Sequence, residues 1–112
     1  MYRPGANPDD IRMEDVLCDF CHKPWREDVP MIEGHRGAVV CGQCLTLAWT
    51  DVVLGNQSTA PPGSTCRMCL ETRDENAWQS PAHPDAVICR RCIKQSGVTL
   101  ERDPDFNWQR PR

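Results

Sequence analysis

Long apolar runs are missing from this 112-residue chain. No stretch approaches the ~18 consecutive apolar residues of a membrane-crossing helix, so no membrane association is expected. Aromatic residues are scarce: four Trp, two Phe and one Tyr. A single apolar core would be thin for this length. Two halves of about 56 residues would each fall below the size that holds itself together unaided. The opening MYRPGANPDD lacks the apolar segment of a secretory signal. A cytoplasmic, reducing location is therefore expected, where stable disulfides are rare. A basic excess is lacking too. The net charge is −3, which argues against a nucleic-acid binder. HExxH, G-x-S-x-G and Gly-rich phosphate-loop patterns are absent, and no enzymatic activity is expected.

What the chain does have is cysteine. Its 8 cysteines fall as four CxxC pairs: Cys18/Cys21, Cys41/Cys44, Cys66/Cys69 and Cys89/Cys92. The first and second pairs are separated by 19 residues, as are the third and fourth, and every cysteine of the first half recurs 48 positions later. Without gaps, that offset also aligns Glu27 with Glu75, His35 with His83, Ala38 with Ala86 and Val39 with Val87. The pattern is an internal duplication that kept its cysteines and the apolar run before the second pair.

The spacing C-x2-C-x19-C-x2-C suits a zinc site. Two thiolates on one tight knuckle occupy two corners of a tetrahedron, and a second CxxC closes it. The sequence therefore predicts two Zn²⁺ ions. Cys18, Cys21, Cys41 and Cys44 would hold one, and Cys66, Cys69, Cys89 and Cys92 the other. Ionising eight thiols and adding two Zn²⁺ takes the formal charge from −3 to about −7. Iron fits four thiolates as well, and ligand count does not choose between the metals. A disulfide framework would need an oxidising compartment. Cys18-Asp-Phe-Cys-His22 matches a haem-attachment pattern, but Cys66-Arg-Met-Cys-Leu70 lacks the His. A closed four-thiolate site has no vacancy at which to activate water.

Four segments are expected: a flexible arm over 1–15, a first zinc module over 16–54, a linker over 55–63, and a second module with the C-terminal tail over 64–112. In the first module, Met31–Ile32 and Ala38–Val40 read as short strands around a Gly34-His35-Arg36-Gly37 turn. Leu45, Ala48, Trp49, Val52 and Val53 recur at helical spacing, with Gly55 as the stop. In the second module, Gly97 interrupts the corresponding helix early, and Phe106 and Trp108 of the tail are expected on that same module. Knuckle, hairpin, then a helix carrying the last two cysteines defines a treble-clef, zinc-ribbon-like α+β module, here twice in tandem. Each is too small to cover its helix face, so the two are expected to pack as an intrachain pseudo-dimer. The first helix would lie against Ile93, Val98 and Leu100, leaving the loops of Trp25 and Trp78 outward. A homodimer is the alternative.

Cys18-Asp-Phe-Cys-His-Lys23, then Val29, Ile32 and Gly34, then Val39-Val40-Cys41-Gly-Gln-Cys44-Leu45, resembles the C4 zinc-binding domain at the N-terminus of ClpX unfoldases. His22 replaces the usual Gly and Gln43 the usual Glu. The second copy keeps the cysteines and Val87-Ile88 but not the Phe, Lys or Gly. No ATPase phosphate loop is present. The resemblance implies a small dimerising module that binds adaptor or substrate proteins.

Single residues refine this picture. His35 and His83 read as turn or hydrogen-bonding residues, because the cysteines already complete each site. His22 reads as exposed and Trp49 as core or interface. Arg67, Arg73, Arg90, Arg91 and Lys94 make the second unit locally basic, but Glu71, Asp74, Glu75 and Asp85 offset them. A protein-binding adaptor is thus the leading function. A nucleic-acid-binding transcriptional regulator of treble-clef type is the alternative. A third class is a redox or metal-responsive switch in which thiolate oxidation expels the metal.

Overall fold

The computed structural model describes all residues, 1–112. The first module has a hairpin of β1 (Met31–Glu33) and β2 (Val39–Cys41), followed by α1 (Gly42–Ala48). The helix runs on from α1 as a wider π-turn over Trp49–Leu54. The second module repeats the plan with β3 (Ala77–Gln79), β4 (Val87–Cys89) and α2 (Arg90–Glu101). Both hairpins are antiparallel. Short 3-10 turns occur at Met13–Asp15 and His35–Gly37. The architecture is a small α+β fold of two knuckle–hairpin–helix modules.

The gap-free alignment of the halves conceals a difference. Met31 pairs with Cys41, whereas Ala77 pairs with Cys89. Measured from equivalent cysteines, the second hairpin therefore starts two residues sooner and carries a turn two residues longer, 80–86 against 34–38. The two changes cancel and leave the cysteine gaps equal. This corrects the expected position of Trp78. It lies in β3 opposite Ile88, in the place Ile32 holds in the first module, and is buried instead of facing outward in a loop. Its ring packs on Phe20 with centroids 5.9 Å apart. Its indole N–H donates to Asp51 Oδ2 at 3.1 Å, which satisfies the one polar atom that burial would orphan. Trp25 is half-buried.

The two modules share one core. Phe20, Leu45, Trp49 and Val52 of the first pack in the same cluster as Met68, Trp78, Ile88, Ile93 and Leu100 of the second. Merging two thin cores raises the fraction of apolar surface that each module can bury. Equivalent residues meet where the halves join. Asp19 and Arg67, 48 positions apart, form an ion pair at 3.8 Å. Trp49 faces its own counterpart, Gly97, where a Cβ would stand 2.5 Å from Trp49 Cζ3. Gly97 therefore does not break α2, which runs on to Glu101. It supplies the space into which the indole fits. Val98 is half-buried, and Ser96 and Gly97 are buried.

The first helix ends at Gly55 as expected, with Gly55 right-handed at φ −78° and Asn56 taking the left-handed turn at φ 49°; Asn tolerates that region through its short polar side chain. Three further expectations change. The arm over 1–15 does not trail free. Tyr2 pairs with Val16, and Leu17 N–H donates to Met1 O at 2.7 Å. The tail lies across both modules and not on the second alone, with Trp108 against Gly97 of α2 as well as on α1. Trp108 Nε1–H donates to Gly42 O at 3.1 Å and to Thr46 Oγ1 at 2.9 Å. Arg110 pairs with Glu101 and lies 4.8 Å over the Trp49 ring. The segment 55–63 is also docked, since Thr59 and Ala60 N–H groups donate to Ala77 O at 2.9 and 3.2 Å.

Gly97→Ala tests the contact between the helices. Inside a helix, Ala is favoured over Gly by about 1 kcal/mol. Here the added Cβ must displace a buried indole, a strain of about 1–3 kcal/mol that should prevail. The denaturant midpoint of the zinc-loaded protein should fall. An unchanged or raised midpoint would mean that Trp49 yields freely.

Candidate metal centres

Each knuckle is a tight turn closed by backbone and sulfur. His22 N–H donates to Cys18 O at 2.8 Å, and Leu70 N–H to Cys66 O at 2.9 Å. The residue after each knuckle is left-handed, His22 at φ 60° and Leu70 at φ 62°, a conformation that glycine adopts without penalty. Peptide N–H groups aim at the first sulfur of each quartet. Cys18 Sγ accepts from Phe20 at 3.4 Å and from Cys41 at 3.3 Å. Cys66 Sγ accepts from Met68 at 3.3 Å and from Cys89 at 3.4 Å. The hairpins end at Cys41 and Cys89, which cap α1 and α2. Cys44 and Cys92 lie in the first turns of those helices, where the helix dipole favours negative charge.

These elements gather Cys18, Cys21, Cys41 and Cys44 into one cluster, and Cys66, Cys69, Cys89 and Cys92 into another. Within each, the four sulfurs lie within 4.8 Å of one another. A Zn–S bond of about 2.3 Å implies a tetrahedron edge of about 3.8 Å. Cys21–Cys41 measures 3.8 Å, and Cys18–Cys44 and Cys69–Cys89 each 3.9 Å. Donor type, number and spacing therefore fit one zinc ion per quartet.

Electrostatics favour the same ion. Crowding favours charge on Cys18 and Cys66 and protons on Cys41, Cys44, Cys89 and Cys92. Hydrogen bonds from the side chains of Cys41 and Cys44 pull Cys18 down to about 2. Cys66 is lowered in the same way by Cys89 and Cys92. Cys41 is pushed up to about 12 by its bond to Cys18, and Cys89 to about 12 by Cys66. Cys44 and Cys92 are raised further for the same reason. Four thiolates so close cannot all ionise without a cation among them.

The two surroundings differ. At the first knuckle, buried Asp19 accepts from Val39 N–H at 2.8 Å. Beside the second quartet stands Arg73. Its pKa is raised, first by a hydrogen bond to the Cys69 side chain and also by Glu71. Its Nε is buried and has no hydrogen-bond partner. In the sequence, Arg73 reads only as part of a mixed charged surface, and its closeness to Cys69 is the one signal that marks it out. His83 is half-buried, and its ring stacks on that of His22 at 3.4 Å and 13°. Its counterpart His35 is exposed.

The fold and its two quartets define a tandem C4 zinc-module protein. Residues 16–50 match the family model of the ClpX C4-type zinc finger. The second group of four cysteines, over 66–92, is consistent with a repeat of that unit. Neither the curated proteins nor the solved structures contain a match.

Two measurements probe the centres. In Cys41→Ser the zinc content should drop from two ions to one per chain, with the second quartet still loaded. Loss of both ions at neutral pH would show that the sites are coupled. Zinc must also displace the protons that Cys41, Cys44, Cys89 and Cys92 hold tightly, so affinity should rise with pH and zinc should leave on acidification. Competition with a chromogenic chelator across roughly pH 5–8 checks the sign; flat affinity would contradict it.

Proposed function

We propose that this chain is a non-enzymatic adaptor, a protein-interaction module held together by two structural zinc ions. Cys18, Cys21, Cys41 and Cys44 take one ion, and Cys66, Cys69, Cys89 and Cys92 the other. The observation that carries the reading is the pair of sulfur quartets at tetrahedral spacing, each using all four of its donors to close a knuckle onto a helix. A site of that kind contributes folding energy and offers no open coordination position. The matched family is a zinc finger, which supports a binding role over a catalytic one.

The candidate partner surface is the outer side of the first helix. Leu47 and Leu54 are 53% and 50% exposed there. Several basic groups are already engaged: Arg26 with Asp28, Arg67 with Asp19, Arg73 with Glu71 and Arg110 with Glu101. That pairing weakens the case for a phosphate-binding face. No helix is long and apolar enough to cross a membrane. A cytoplasmic, reducing location would keep all eight thiols available to metal.

Affinity capture with zinc-loaded protein tests the proposal when native chain and the Leu47→Asp/Leu54→Asp variant are compared. A specific protein should be retained by the native chain and lost by the variant, with zinc content unchanged in both. Equal retention would reject this surface. Salt-dependent retention of DNA or RNA instead of protein would favour the regulator reading.

A further inference from the structure

We propose that the second quartet is a peroxide-sensitive zinc-release site, reached through a cleft between the modules. The inference rests on the reading that each quartet holds zinc. It adds that the two ions are unequal in reactivity, although their ligands are identical.

The cleft has a volume of about 370 Å³. It is bounded by the turn of the first hairpin at Gly34 and His35, by the second knuckle at Met68, and by α2 at Thr99. Cys69 and Cys92, two of the four residues of the second quartet, line it. The first hairpin reaches the second knuckle through His35 N–H, which donates to Met68 O at 2.8 Å. The His35 side chain stays exposed, and Leu70, which follows the knuckle, is 41% exposed.

The reciprocal contact is fuller. The turn of the second hairpin, two residues longer, brings the Ser80 hydroxyl to Phe20 O on the first knuckle. It also lays His83 on His22 at 3.4 Å. The lengthened turn packs on the first knuckle, where the cleft that Cys41 lines holds only about 60 Å³, while the short turn leaves Cys69 and Cys92 on the larger cleft. The compensating length changes that the equal cysteine gaps conceal thus set which metal solution reagents reach first.

Hydrogen peroxide is the reagent class that fits, being small, polar and thiol-reactive. The Cys69 thiolate attacks one peroxide oxygen, the O–O bond breaks, and hydroxide leaves, giving a sulfenic acid. The Cys92 thiolate then attacks the Cys69 sulfur and displaces a second hydroxide. Two thiolates have lost two electrons to form one disulfide, and peroxide has gained them. Solvent protons convert both hydroxides to water, and zinc, left with two ligands, dissociates.

The two-zinc protein treated with hydrogen peroxide, with released metal read by a chromogenic chelator and oxidised cysteines mapped by alkylation and mass spectrometry, tests this. One ion should leave several-fold faster than the other, and the early disulfide should lie between Cys69 and Cys92. Thr99→Trp, which fills the cleft mouth, should slow that phase. His83→Ala, which uncovers the first knuckle, should speed the other. Equal rates in the native protein, or earlier oxidation of the first quartet, would overturn the proposal whatever the variants do. A native protein that carries no zinc at the outset would instead refute the zinc reading itself.

Discussion

Mutual repulsion among clustered thiolates is the constraint on which the molecule depends. Four sulfurs converge within 4.8 Å at each of two places. Hydrogen bonds among the crowded sulfurs favour charge on Cys18 and disfavour it on Cys41 and Cys44. A divalent ion among the four sulfurs would turn that conflict into attraction. Knuckle, hairpin end and helix start are the three pieces that one ion would tie together. Zinc bound by such peptides contributes on the order of 10 kcal/mol to folding, comparable with the whole net stability of a small domain.

Metal alone does not account for the arrangement of the halves. Each helix presents more apolar surface than one small module can cover, and the shared core answers that need. Phe20 meets Trp78, Trp49 meets Gly97, and the tail returns Trp108 to the opposite module. The contacts that cross between modules are therefore as important as those within them. The arm, the linker and the tail all run along module surfaces, so chain that would otherwise be slack adds hydrogen bonds and covers apolar atoms.

The cysteine pattern is the most legible part of the sequence, because metal-ligand spacing within a knuckle is a local geometric demand. The strands and the first helix follow from apolar spacing of similarly short range. What escapes is non-local. The two length changes that cancel leave no trace in the cysteine gaps, so spacing puts Trp78 in a loop although it pairs opposite Ile88. Intrinsic helix propensity makes Gly97 a breaker, but its role is set by an indole 48 positions away. Sequence distance assigns Trp108 to the nearer module, whereas its N–H finds acceptors on α1. Arg73 is hidden within a balanced set of charges, and only its closeness to Cys69 in the sequence marks it out.

The pairs Asp19–Arg67 and Trp49–Gly97 carry a consequence for assembly. Around a true two-fold axis, a residue on the axis meets its own copy. Two Asp19 residues would repel, two Trp49 rings would collide, and two Gly97 positions would leave a void. Once duplicated within one chain, the two copies could diverge at these positions and become lock and key. Neither half can then make the same joint with a duplicate of itself. Their union is unimolecular, so dilution that would part a two-chain assembly leaves it intact, and no excess of one half can ever be made over the other.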